Sequence, residues 1–316
     1  MPVEHVSEHG APGFRWGTHG KVYGYDPDSP ASQRRARFLA EQQGMAIHVA
    51  EAARSDARPR RLIAPPPLFP TRLEDTYRSR LLRRTHAAQT LLFDRLLPLL
   101  HRLKPDLDTR AKEARVDSLE SDLASILRVI EVTRQGFGAA FAPDPRSLET
   151  TAAGVDKFAS AQQARAVKTL IAIDIAPSRE LFDLYQGWTR TNVDLITSID
   201  ARYFDDIRDT VVEAVRAGTN TEDITRLLRQ RYQVSRSRAE LIARDQIAKL
   251  NGQITEKRQR DLGVSRYQWS TSNDERVRPT HRVLEGKIIE WDKPPPPGHP
   301  GQDFQCRCVA LPYFDD

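Results

Sequence analysis

Ala239-Glu240-Leu241-Ile242-Ala243-Arg244-Asp245-Gln246-Ile247-Ala248-Lys249-Leu250-Asn251-Gly252-Gln253-Ile254 runs on to Leu262-Gly263, and there the pattern changes period. Ala239, Ala243, Ile247, Leu250 and Ile254 are spaced 4, 4, 3 and 4 residues apart, which is one face of a long helix. Gly263 is a helix stop. Beyond it Tyr267 and Trp269 alternate with Arg266 and Gln268, the two-residue period of a strand. Lys287-Ile288-Ile289-Glu290-Trp291 predicts a second strand and Val309-Ala310-Leu311 a third, at an edge. Pro294 to Pro297, with Gly298 and Pro300, predicts an extended loop between them. A long helix followed by a few short strands and a Pro-rich loop makes a small α+β domain.

Upstream of this stretch the helical period dominates. Phe204, Ile207, Val211, Val212 and Val215 mark a helix that Gly218 ends. Thr221 is the expected cap of the next, with Glu222 and Asp223 in its first turn and Ile224, Leu227 and Leu228 on its apolar face. Leu119, Leu123, Ile126, Leu127 and Ile130 form another stripe, expected to stop at Gly136 and Gly138 before a loop at Pro143 and Pro145. A further stripe begins near Val155 and Phe158, runs through Val167, Leu170 and Ile171, and stops at Pro177, with Ser178 as the next cap. Residues 1–60 combine Gly- and aromatic-rich segments, Gly13 to Gly17 and Gly20 to Tyr25, with a helix capped by Ser32. So few aliphatic residues bury little, so this piece is a small module: a docking arm or a poorly ordered terminus. The expected fold is mostly α with a small C-terminal α+β domain. Its segments are 1–60 (small module), 61–70 (Pro-rich linker), 71–200 (helical domain) and 201–316 (α+β domain).

Composition narrows the function classes. The 316 residues carry a net charge of +5, with 39% hydrophobic and 29% charged residues. That is too apolar for wholesale disorder and too charged for an integral membrane protein. The longest apolar runs are broken by Asp94, Arg95 and Asp174, so no membrane partner is expected. Met1 to His5 lack a basic segment followed by an apolar core, and two cysteines cannot build a disulfide framework, so a reducing cytoplasm is expected. Phosphate-loop, dinucleotide-binding, zinc-protease and nucleophile-elbow motifs are all missing. Seven cations lie between 236 and 262 against four acids. Arg236, Arg238, Arg244, Lys249, Lys257, Arg258 and Arg260 are thus candidate contacts for DNA or a protein surface, with a solvated helix face as the alternative.

The chemistry-bearing residues gather near the C-terminus. His281, His299, Cys306 and Cys308 are candidate metal ligands, with Asp274 in reserve. Imidazole and thiolate donors suit zinc above other metals, and a segment with little core gains folding energy from such a clip. The C-x-C spacing is shorter than the usual C-x₂₋₄-C. The alternatives are a reduced pair, one thiol packed inward and one outward on a strand, or a thiol nucleophile served by a histidine. Asp274, Arg276 and Arg278 read as a structural polar cluster leading into a helix with Pro279 at its first position.

Taken together, Ile242 to Gln246, Lys249 to Gly252, Gly263-Val264, Tyr267 to Trp269, Asp274 to Pro279, His281, Glu285 to Lys287, Gly298 to Gly301 and Cys306-Arg307-Cys308 closely resemble the C-terminal domain of the Mu F-like phage head morphogenesis (minor capsid) proteins. The resemblance covers roughly 190–313, since Asn192 to Ile199 is similar to the helix entering that domain. It implies a tailed-phage or prophage protein of the virion head and procapsid, present in the host cytoplasm during assembly. The implied partners are the portal protein, the major capsid or scaffold proteins and non-specific double-stranded DNA. The implied role is in head assembly and in DNA packaging or delivery. The competing class is a metal-dependent enzyme or effector that travels with the DNA and uses His281, His299, Cys306 and Cys308. No catalytic residue is assigned.

Overall fold

The computed structural model describes residues 3–8, 11–17, 21–55, 68–110, 116–168 and 179–313. In chain order the elements are β1 (Val3–Glu8), β2 (Ala11–Trp16), β3 (Tyr23–Gly24), α1 (Pro30–Ser55), α2 (Thr71–Arg110), α3 (Val116–Ala140), α4 (Pro145–Lys168), α5 (Arg179–Arg216), α6 (Thr221–Asp261), β4 (Arg266–Ser270), α7 (Pro279–Arg282), β5 (Ile288–Glu290) and β6 (Val309–Tyr313). The fold is therefore mostly α, with a small α+β end, as the periodicities predict. Most of the expected linker, from 61 to 67, lies outside the described residues, as do Leu170, Ile171, Pro177 and Ser178. Among the described residues no helix is long and apolar enough to cross a membrane.

Several element ends differ from the sequence reading. Helix α1 starts at Pro30, with Ser29 as its cap: the Ser29 hydroxyl accepts the Ser32 N–H at 3.3 Å, so Ser32 lies inside the helix. Helix α3 runs through Gly136 and Gly138 to Ala140. Phe137 between them is buried and stacks on Phe141 at 4.7 Å, and this packing outweighs the ~1 kcal/mol that each helical glycine costs. Pro145 is the first residue of α4 rather than a loop residue, and Asp144 accepts the Arg146 N–H at 3.1 Å. Asn220, not Thr221, caps α6, accepting the Asp223 N–H at 2.9 Å. The two apolar stripes on either side of residue 230 belong to this one 41-residue helix. β1 to β3 form an N-terminal antiparallel sheet that the glycine-rich reading did not anticipate.

The chain forms two compact units. One comprises 70–155 and 182–247. Leu92, Leu96 and Leu100 of α2, Ile126, Ile130 and Phe137 of α3, Phe204, Ile207 and Val211 of α5, and Ile224 and Leu228 of α6 share its apolar core. A second, polar core sits in the same unit. The buried Tyr77 hydroxyl donates to Asn192 Oδ1 at 2.6 Å, and Asn192 Nδ2 donates to Gln246 Oε1 at 3.1 Å. The Trp188 indole donates to the Gln246 carbonyl at 3.1 Å.

The other unit comprises 1–69, 156–181 and 248–316. Its C-terminal sheet has the order β5-β4-β6, all antiparallel, with Tyr267 paired to Ile289 on one side and to Pro312 on the other. Tyr267, Trp269, Trp291, Leu284, Cys306, Cys308 and Ala310 form its core. Gln259 of α6, fully buried, ties helix to sheet: it donates to the Ala310 carbonyl at 2.9 Å and accepts the Trp291 indole N–H at 3.1 Å. Gly252 and Gly301 let the loop after β5 press against α6. A Cβ on Gly252 would collide with the Pro300 carbonyl, and one on Gly301 would stand 2.6 Å from the Ala248 carbonyl. Gly301 also holds φ +88, which favours glycine.

Candidate metal centre

Three segments bring the candidate residues together. The first is the single turn α7. Arg278 enters it extended, at φ −61 and ψ 147, and Pro279 occupies its first position. That turn aims His281 inward. The second is the loop 298–308, bent by Gly298, Gly301 and Gln305, all at positive φ. The Cys306 N–H closes a turn on the Asp303 carbonyl at 3.1 Å. The third is β4, whose Trp269 meets the His281 ring edge-on at 5.5 Å and 90°.

His281 Nδ1 lies 3.4 Å from Cys308 Sγ and 3.6 Å from Cys306 Sγ. The three ligand atoms fall within 4.8 Å of one another, and all three residues are buried. The expectation of one thiol inward and one outward is corrected: extended chain has a period of two, so residues i and i+2 share a face, and here both reach the core. On its far side His281 Nε2 hydrogen-bonds Asp303 Oδ2 at 2.9 Å. Arg278 holds the same oxygen at 2.7 Å and donates to the Phe304 carbonyl at 2.6 Å. Sequence reasoning missed Asp303. Its only signal was being an acid three residues before Cys306 in a loop already rich in candidates.

The electrostatics follow from these contacts. The Cys308 thiol beside Cys306 brings Cys306 down to about 6, helped by the Gly301 and Cys308 backbone N–H groups and opposed by burial. The Gly301 N–H points at Cys306 Sγ from 3.4 Å. The same Cys306 contact, with burial, pushes Cys308 up. Burial works to raise Asp303, but the Phe304 N–H, His281 and Arg278 outweigh it and keep its carboxyl below the usual range.

The remaining candidates go elsewhere. His299 does not join the group: Tyr267 Oη sits 2.9 Å from its Nδ1, and its ring packs on Trp291 at 4.9 Å. The Pro-Gly bend after it turns the chain, so closeness in sequence to Cys306 does not become closeness of side chains. Asp274 pairs with Arg307 at 2.7 Å, and it meets Arg276 through that residue's backbone N–H at 3.0 Å. With Arg278 on Asp303, the expected Asp274–Arg276–Arg278 cluster is divided between two ion pairs. The cations of α6 are also engaged. Arg236 pairs with Glu240, Arg244 with Glu74, Lys257 with Asp261, and Arg260 with Asp292 and Glu256. Arg258 is buried on Asp156 at 2.6 Å, which corrects its reading as a surface contact. Arg238 reaches Ser198 at 3.5 Å, and Lys249 lies on the same helix.

Residues 205–311, which include every member of this cluster, match the family described as Phage Mu protein F like protein. Over this segment the chain is similar to that family. The matched segment opens within α5 and closes in β6. An uncharacterized protein of Haemophilus influenzae is 40% identical over 129 residues, covering 40% of this chain and 29% of that protein. An uncharacterized protein of Methanocaldococcus jannaschii is 28% identical over 172 residues, covering 53% of this chain and 26% of that protein. The chain therefore spans under a third of the length of these two relatives. No solved structure matches it.

Proposed function

We propose that the chain is a minor capsid, head morphogenesis protein of a tailed phage or prophage. It enters the procapsid at the portal vertex and supports head assembly and DNA packaging or delivery. The observation that carries this reading is the Mu F-like match over 205–311. Its partners are the portal protein and the inner surface formed by the major capsid or scaffold proteins. Any contact with packaged DNA is non-specific and electrostatic, and the ion pairs along α6 keep it weak.

The reading is non-catalytic. Cys306, Cys308 and His281 are all buried, whereas a nucleophile or an open metal must meet its substrate. The pocket lined by Phe158, Gln163, Thr255 and Leu311 includes none of the three. Deleting the gene from its phage or prophage and complementing it tests the proposal. The expected result is missing or poorly infective heads, restored by the wild-type gene. Normal infectious particles from the deletion strain overturn it.

A further inference from the structure

We propose that His281, Cys306 and Cys308 bind one zinc ion, and that Asp303 is the positioning residue that fixes the histidine for it. This goes beyond the capsid reading and does not depend on it.

The geometry is that of three corners of a tetrahedron. Zinc bonds of about 2.3 Å to sulfur and about 2.0 Å to nitrogen, at tetrahedral angles, place S and N about 3.5 Å apart. His281 Nδ1 stands 3.4 Å from one sulfur and 3.6 Å from the other. Both thiols address the same ring nitrogen, which a nucleophile–base pair has no need of and a shared ion requires. The histidine is oriented as metal-binding histidines are: Nδ1 faces the sulfurs while Nε2 donates to Asp303, which Arg278 holds in turn. This bond sets the tautomer with its lone pair on Nδ1. The Gly301 N–H directed at Cys306 stabilises sulfur in its thiolate form.

The chemistry selects zinc. Two thiolates and one imidazole are soft to borderline donors, unsuited to magnesium or calcium, which take oxygen. Among the described residues no other histidine, cysteine or acid joins the group, so these three side chains are the ligands the site offers. The ion cross-links α7 to the 298–308 loop, in a part of the chain whose own core is small.

Metal analysis of the full-length chain, purified without chelator, tests this. The expected result is one zinc per chain. After chelation, cobalt(II) added to the same protein is expected to give the near-ultraviolet thiolate-to-cobalt charge-transfer band. Cys308→Ser removes stoichiometric zinc. Asp303→Asn keeps the ligands but weakens zinc about 10- to 100-fold, measured by chelator competition. Asp274→Asn binds zinc as the wild type does. A wild-type chain that carries no zinc and gives no thiolate–cobalt band overturns the proposal. So does stoichiometric iron or copper, or an Asp303→Asn affinity equal to wild type. The cobalt titration reads the intact wild-type protein, so a cysteine variant that fails to fold leaves the test decisive.

Discussion

At the level of single residues, chemistry was easier to read from sequence than its partners were. His281, Cys306 and Cys308 stand out because imidazole and thiol are rare and specific donors, and the fold does bring them within 4.8 Å. His299 stood out for the same reason and went elsewhere, because residue type does not report where a bend sends a side chain. Its burial between Tyr267 and Trp291 lowers its pKa from the ordinary 6.5, with desolvation as the main cause. A group whose folded pKa is depressed in this way holds fewer protons folded than unfolded. Stability therefore rises with pH through the window just below 6.5 and is lost on acidification. Denaturant midpoints measured across that window are expected to fall toward acid, and His299→Gln is expected to flatten the fall. An unchanged slope in that variant contradicts the assignment. Gly252 carries a sharper steric demand. Gly252→Ala pushes a methyl group into the Pro300 carbonyl and is expected to destabilise the chain by about 1–3 kcal/mol in urea unfolding, with no effect contradicting the close approach.

At the level of elements, the helix-to-strand change at Gly263 was legible because the apolar period switches from about 3.6 to 2 within a few residues. β4, β5 and β6 all fall where the alternation of Tyr267 and Trp269, the Ile288-Ile289 pair and Val309 to Leu311 places them. Helix ends were less legible, since caps are single polar residues with many look-alikes: Ser29 for Ser32, Asn220 for Thr221. The N-terminal sheet escaped because Pro12 and Gly13 inside β2 read as turn residues and β1 mixes Val3 and Val6 with polar residues out of a two-residue period, so backbone pairing defines them more than pattern does. Gln259 joins α6 to the sheet, and nothing in the sequence marks it as buried. Gln259→Leu orphans the Ala310 carbonyl and the Trp291 indole N–H, at about 1–3 kcal/mol each. Chemical denaturation should show a loss of that order. A neutral outcome contradicts the role of this residue as the tie. Asn220→Ala removes the α6 cap and is expected to cost about 1 kcal/mol in the same assay, while a variant as stable as wild type contradicts the cap.

At the level of the molecule, the segments drawn from sequence are linear, whereas the two compact units interleave along the chain. Local periodicity cannot anticipate this, because α4, α5 and α6 are each long enough to take part in both units. The similarity to the Phage Mu protein F like family covers 205–311, and most α6 cations there are already paired with acids of the same chain. If the protein does bind duplex DNA, log affinity should fall against log salt by about 0.9 per phosphate neutralised, without sequence preference. Salt-insensitive binding to one sequence contradicts that. A role in the phage head is tested most directly by the chain's location in intact particles. Mass spectrometry of gradient-purified procapsids and mature heads, with an epitope-tagged chain imaged by electron microscopy, should find it in few copies at the portal vertex. Finding it only free in the lysate, with heads complete without it, contradicts the account.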